Sequence, residues 1–88
     1  MKVMLEKAVK VDQSFAAAEA ARVVQAASRF KSRVSLVHEE KTANAKSIMG
    51  IISLDLHGGY TVKIVADGED EQQVLPELEN ILGEKENG

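Results

Sequence analysis

The residues of this chain that are best placed for chemistry surround Ser47, where the pattern predicts the start of a helix. A serine at a helix N-cap accepts a hydrogen bond from an otherwise unpaired backbone N–H. A phosphate on its hydroxyl would add roughly −1.5 to −2 charges where the N–H groups and the helix dipole favour negative charge. Lys46 could pair with that phosphate. The spacing alone favours a structural cap, and a regulatory phosphorylation site is the alternative.

The segment after Ser47 carries more large apolar side chains than one short helix can bury. Positions 48, 49 and 52 cannot share a helix face with positions 51 and 54, so Ile51 and Leu54 are predicted to point into the core. An exposed apolar patch is typical of a protein-binding surface, and Phe15, at the start of the first helix, would extend it. The predicted partner-binding residues are Phe15, Lys46, Ile48, Met49 and Ile52.

The two histidines, His38 and His57, could in principle act as nucleophiles or metal ligands. Neither has a cysteine or a second histidine nearby to complete a ligand set, so we interpret both as ordinary surface or partly buried residues. The acidic runs Glu39-Glu40 and Glu69-Asp70-Glu71 are interpreted as solvated turn and helix-start charges rather than as paired catalytic carboxylates. No metal, no cofactor and no enzymatic site is predicted.

Length and composition limit the classes of protein that the chain could represent. Its 88 residues suit a single domain, predicted at residues 1–83, with a disordered tail at residues 84–88. The formal charge of −3 argues against direct nucleic-acid binding. The absence of cysteine fits a reducing compartment. Charged residues interrupt the N-terminal segment, so we expect neither a signal peptide nor a membrane span and place the protein in the cytoplasm.

Hydrophobic periodicity predicts the elements that position these residues. The first is a strand with Val3, Leu5, Val9 and Val11 on one face and Lys7 as the exception. A helix from Phe15 to Phe30, capped by Ser14 or Asp12, follows it. The remaining elements are strands at residues 33–38 and 43–46, the Ser47–Leu54 helix, a strand from Tyr60 to Ala66, and a last helix that starts at residues 69–71. Pro76 is expected to kink or break the last helix near residues 72–75. The order βαββαβα predicts an α+β fold, an antiparallel sheet with helices on one face.

Three segments in this order resemble the HPr family, the small carrier and signalling proteins of bacterial sugar phosphotransfer systems. They are Ala45–Gly50 continued by Ser53-Leu54, the helix end Gln25–Phe30, and the helix entry Ala66–Glu71. The similarity spans roughly residues 7 to 82. It implies an open-faced β-sandwich, in which a four-stranded antiparallel sheet of strand order 1-4-2-3 carries three helices on one face.

The resemblance fails at the family's phosphoryl-accepting motif, Gly-Ile-His-Ala-Arg-Pro-Ala. Counting back from Gln25 aligns this motif with residues 14–20, which puts Ala16 at the histidine, Ala18 at the arginine and Glu19 at the proline. Alanine offers no nucleophile, and no residue from 1 to 37 is a histidine. We therefore predict that the chain does not carry phosphate on histidine.

The serine segment survives, and the resemblance implies its role. In Gram-positive HPr proteins, and in Crh-type members that lack the active histidine, the matching serine is phosphorylated by HPr kinase/phosphorylase with ATP. The phosphoprotein then binds the transcriptional regulator CcpA in carbon catabolite repression. For this chain the resemblance favours phosphorylation of Ser47 and binding to a CcpA-type regulator or a metabolic enzyme.

Other interpretations of the chain stay open. It could be a constitutive adaptor whose serine is never phosphorylated, or a degenerate HPr paralogue with no phosphorylation-dependent role. A homodimer formed by exchange of the first strand is a further expectation, because the short loop at Asp12–Ser14 could act as a hinge.

Overall fold

A computed structural model describes residues 4–84, in which seven elements follow the predicted order. They are β1 (Leu5–Lys10), α1 (Ala17–Ser28), β2 (Arg33–His38), β3 (Lys41–Asn44), α2 (Ile48–Ser53), β4 (Thr61–Asp67) and α3 (Glu71–Leu82). The four strands form one antiparallel sheet in the order β1-β4-β2-β3. The predicted fold class and the strand order implied by the resemblance are therefore confirmed.

The two ends of the chain fall partly outside this description. Val3, predicted in the first strand, and residues 85–88 of the predicted tail lie outside the described residues. Glu84 is described and is held in place, because its backbone N–H donates to the Lys10 carbonyl at 3.1 Å. The tail at residues 84–88 stays a prediction.

Alternation along the strands places the core between the sheet and the helices. In β4 every second residue is buried, as are Val34 and Leu36 in β2, and the other residues of both strands are half-buried or exposed. The buried stripes of α1 and α3 pack on this face with Val23, Ala27, Val74, Leu78 and Leu82. The core is aliphatic, since Phe15 and Phe30 only pack against its margin.

Lys7 interrupts the alternation of β1 for an identifiable reason. It lies on the same side of the strand as the buried Val9, which is the side that α3 covers. Its ammonium group is 2.8 Å from the Glu79 carboxylate of α3. The charged residue therefore ties the edge strand to a helix instead of pointing away from it.

The cap predicted for α1 was wrong. The helix begins at Ala17 with Ala16 as its N-cap, and the Ala16 N–H donates to the Glu19 carboxylate at 2.9 Å. This is the backward bond of a capping box, made by the third helical residue. Asp12 instead accepts hydrogen bonds from the backbone N–H and the hydroxyl of Ser14, which closes the turn before the helix.

The third strand was predicted two residues too late. Glu39 adopts a positive φ of 55°, as the first loop residue of some two-residue hairpin turns requires. Pairing therefore begins directly after Glu40, with His38 opposite Lys41. The side chain of Asn44 then accepts the Lys46 N–H at 2.8 Å, which turns the chain out of the strand towards α2.

The predicted break at Pro76 was also wrong. The α3 helix runs from Glu71 to Leu82 with Pro76 inside it. Proline removes the bond to the carbonyl four residues earlier, at Gln72, and both residues are exposed, so water can satisfy that carbonyl. Burial of the opposite face offsets a cost of about 3 kcal/mol, because Val74 and Leu78 are fully buried.

The acidic start of α3 is less solvated than predicted. Asp70 accepts the backbone N–H groups of Lys31 and Ser32 at 2.8 and 2.9 Å, and also the Ser32 hydroxyl. Glu71 is only 6% exposed and accepts the Gly68 N–H at 2.9 Å. Asp70 therefore fastens the loop between α1 and β2 to the start of α3, and Glu71 closes the turn between β4 and α3. The hydrogen bonds from Ser32 and Lys31 hold the pKa of Asp70 below its ordinary value.

This network predicts a specific pH dependence of stability. A carboxylate whose pKa is lowered in the folded state stabilises the fold above the ordinary aspartate pKa, and this stabilisation is lost as the pH falls through the folded-state pKa. We expect Asp70→Asn to lower the melting temperature at neutral pH, and the difference from wild type to shrink on acidification. Thermal denaturation from neutral to acidic pH measures this difference in melting temperature. Glu69→Gln, at the exposed neighbour of Asp70, is the control. A difference that is constant with pH would contradict the assignment.

Two glycines should differ in how substitution by alanine changes the free energy of unfolding. Gly68 has a φ of 158°, and a Cβ there would lie 2.6 Å from the Cα and Oγ of Ser32. Gly68→Ala should therefore destabilise the fold by about 2 kcal/mol or more. A Cβ on Gly50 would lie 3.4 Å from the Asn44 carbonyl, an ordinary contact, so Gly50→Ala should be neutral or gain roughly 0.5–1 kcal/mol. Denaturant unfolding compares the two variants, and equal losses would contradict the prediction.

Candidate functional site

Ser47 caps the short helix α2. Its hydroxyl oxygen accepts the Gly50 N–H at 3.2 Å, and its own N–H donates to the Asn44 carbonyl at 3.0 Å. The residue has an extended backbone (φ −114°, ψ 116°), the usual conformation of an N-cap. The predicted cap is confirmed, and the side chain is half-buried at the surface rather than enclosed.

Lys46 is held by a different part of the chain. Its ammonium group donates to the Phe30 carbonyl at 2.8 Å, just beyond the end of α1. A cation beside the last carbonyls of a helix is favourable, because these carbonyls lack partners and the negative end of the dipole lies there. Lys46 therefore links the end of α1 to the start of α2, and it could pair with a phosphate on Ser47 only by leaving this carbonyl.

The apolar residues of α2 divide between core and surface as predicted. Ile51 and Leu54 are 1% and 3% exposed, whereas Ile48, Met49 and Ile52 are 39%, 72% and 54% exposed. The helix runs only from 48 to 53, so one face meets the sheet and α1 while the other stays open. We call Ile48, Met49 and Ile52 the α2 patch.

Phe15 borders a groove beside the α2 patch. The groove has a volume of about 230 Å³ and lies between the start of α1 and the end of α2. Its lining residues are Phe15, Ala16, Ala17, Ala20, Ile51, Ile52, Asp55 and Leu56. Ile52 belongs both to the α2 patch and to the lining of the groove that Phe15 borders. Phe15 and the α2 patch therefore form one continuous apolar surface.

The start of α1 offers no group for covalent chemistry. Ala16, Ala17 and Ala18 are all exposed and carry only methyl groups. Glu19, the first acidic residue of the helix, uses its carboxylate to bond the Ala16 N–H. Residues 16–18, in the middle of the segment aligned with the carrier motif, thus present only methyl groups and neither a nucleophile nor a cation.

Both histidines have structural partners. His38 has a mostly buried side chain, 14% exposed; its Nδ1 lies 3.1 Å from the Thr61 carbonyl, and its ring stacks on Tyr60 with centroids 4.7 Å apart. His57 contacts the same tyrosine edge-on, and its Nε2 lies 3.2 Å from an oxygen of Asp55. Within residues 4–84 no group of three or more potential ligands could hold a metal ion.

The packing of Tyr60 between His38 and His57 was not predictable from the sequence. Tyr60 was predicted to begin an alternating strand, whereas β4 begins one residue later and Tyr60 stands between the two histidines. Stacking joins residues that are distant along the chain, so no local pattern indicates it.

Among the described residues, no helix combines the length and the apolar character that crossing a bilayer requires.

Comparison with known proteins agrees with the fold and identifies the family. The sequence model of the PTS HPr component phosphorylation site matches residues 6–84. The HPr-like protein Crh of Bacillus subtilis is 46% identical over 70 residues, which cover 80% of this chain and 82% of the relative.

Solved structures agree as well. The phosphocarrier protein HPr of Bacillus anthracis superposes with a TM-score of 0.83 at 36% identity, covering 91% of this chain and 98% of the other. Crh of Bacillus subtilis, reported as a dimer with a swapped domain, superposes with a TM-score of 0.70 at 44% identity and covers 83% and 82%. The topology, the family match over residues 6–84 and these similarities together show that this chain belongs to the HPr family of phosphotransferase-system proteins.

Proposed function

We propose that this chain is a cytoplasmic HPr-like regulatory protein of the sugar phosphotransfer and carbon catabolite control system. It is not an enzyme, does not carry phosphate on histidine, and acts by binding other proteins. The observation that carries this proposal is the exposed α2 patch directly behind the capping serine, with Met49 72% exposed. Phosphorylation of Ser47 by HPr kinase/phosphorylase would control the binding.

The composition of the α1 start supports the loss of the carrier reaction. Phosphoryl transfer needs a nucleophile and groups that stabilise the charge of the phosphoryl oxygens. The N-cap and the first turn of α1 supply the methyl groups of Ala16 and Ala18 and the negative charge of Glu19. All three features oppose the reaction at this position.

The geometry of Ser47 supports a switch. The Gly50 N–H already points at the hydroxyl oxygen, so phosphate oxygens added there would keep a backbone donor. The added charge could bind an arginine of a partner through charge-assisted hydrogen bonds. The apolar residues beside it supply the contact area, so the charge and the α2 patch would be recognised together.

The proposed partners are the kinase/phosphorylase and a CcpA-type transcriptional regulator or a metabolic enzyme. The name of the Bacillus subtilis relative, the catabolite repression protein Crh, supports the regulatory assignment. Ala18 is a departure, since Crh-type proteins generally keep the family arginine there. Regulator binding by this chain would therefore rest on Ser47, Lys46 and the apolar surface of Phe15 and the α2 patch.

A constitutive adaptor is the second candidate. The α2 patch is exposed in the unphosphorylated chain, so it is available for binding without any phosphate. In a degenerate paralogue the same surface would have no partner. Phosphorylation distinguishes the regulatory role from both.

A homodimer by exchange of β1 is a further part of the proposal. The strand pairs with β4 over six residue pairs and leads into the short turn that Asp12 and Ser14 close. The swapped dimer of Crh and an HPr dimer from Thermoanaerobacter tengcongensis support it, because an exchanged strand reforms the same pairing between two copies.

The test of the regulatory role is intact mass after incubation with a Gram-positive HPr kinase and ATP. We expect one phosphate on the wild type and none on Ser47→Ala. Ser53→Ala is the matched control, since Ser53 lies on the same helix with its hydroxyl bonded to the Gly50 carbonyl at 2.8 Å, and it should still accept one phosphate. Loss of the cap should lower the stability of Ser47→Ala by about 1 kcal/mol. An unmodified wild type would overturn the switch and favour the adaptor.

A further inference from the structure

We propose that the groove between α1 and α2 receives one large apolar side chain of a partner protein, flanked in that partner by a lysine or an arginine. This inference rests on the proposed protein-binding role of the surrounding surface and adds the chemistry of the residue that binds there. The anchor would be a leucine, a methionine or an aromatic residue.

The size and lining of the groove select a single side chain. Its volume of about 230 Å³ is below the roughly 300–1,000 Å³ of small-molecule sites. The floor is formed by Ala20, Ile51 and Leu56, which are 4%, 1% and 8% exposed. An apolar side chain placed on this floor would be covered from below by these buried residues and from above by the partner that carries it, as the anchors of protein interfaces are.

The groove exists because the α1 wall is built from alanines. Ala16 and Ala17 contribute only methyl groups to the lining, whereas Phe15 and Ile52 contribute large side chains. A longer side chain at Ala17 would occupy the space itself. Met49, which is outside the groove, would cover the rim of the contact and exclude water from the anchor.

The charge at the rim identifies the flanking residue of the partner. Asp55 is the one charged side chain among the residues that line the groove, and it is 81% exposed. The carboxylate of Asp55 therefore supplies the negative charge at the rim of the groove. A lysine or arginine beside the anchor complements this rim, whereas an acidic residue there would be repelled.

The test is selection of phage-displayed short random peptides on the whole unphosphorylated chain. We expect peptides that combine a large apolar residue with a neighbouring lysine or arginine. Their affinity should fall about tenfold or more on Ala17→Leu, which fills the groove. It should be unchanged on Ala18→Leu, the matched control, because Ala18 is exposed on the same turn but does not line the groove. Leucine is a good helix former, and circular dichroism checks that both variants fold.

The second part of the test reverses the charge of Asp55 at the rim of the groove. Selection on Asp55→Lys should yield peptides in which an acidic residue replaces the basic one beside the same apolar anchor. The proposal is overturned if peptides bind Ala17→Leu as well as they bind the wild type. It is also overturned if both selections yield the same flanking charge, or if no peptide prefers the wild type to Ala17→Leu. Both selections use the unphosphorylated chain, so the groove and the phosphorylation switch can fail independently.

Discussion

The shortness of α2 is the constraint from which the functional surface follows. A helix that runs from residue 48 to 53 presents one narrow stripe to the core, and Ile51 with the following Leu54 occupies it. The other large side chains must therefore face outward. Their exposure costs solvation free energy of about 25 cal/mol per Å². A partner that covers the α2 patch recovers this free energy, which makes the patch suited to binding.

The neighbouring start of α1 has acquired the same apolar character. Residues 16–18 present only methyl groups, and two of them, Ala16 and Ala17, line the groove beside Ile52. Two short helix ends thus form one surface, anchored from below by buried residues of both helices. Lys46 holds these elements together, since its ammonium group bonds the carbonyl of Phe30 at the end of α1.

Local features of the sequence predicted most of the fold, the Ser47 cap and the division of the α2 side chains between core and surface. The alternation in β4 and the Ser47 cap depend on residues within a few positions of one another, so their patterns were sufficient. The roles of Asp70, Lys46 and Tyr60 were not predictable in this way, because their partners are distant in sequence and meet only when the elements pack. Pro76 does not break α3, because the burial of the opposite helix face outweighs the low helix propensity of one residue.

The most direct test is the affinity of a purified CcpA-type regulator for the chain before and after phosphorylation at Ser47. The account predicts that binding strengthens at least tenfold on phosphorylation, and that Met49→Gln removes it. Met4→Gln, at a methionine that is 52% exposed outside the α2 patch, should leave it intact. Equal affinity of the two forms, or binding that survives Met49→Gln, would contradict a charge-controlled docking surface on α2.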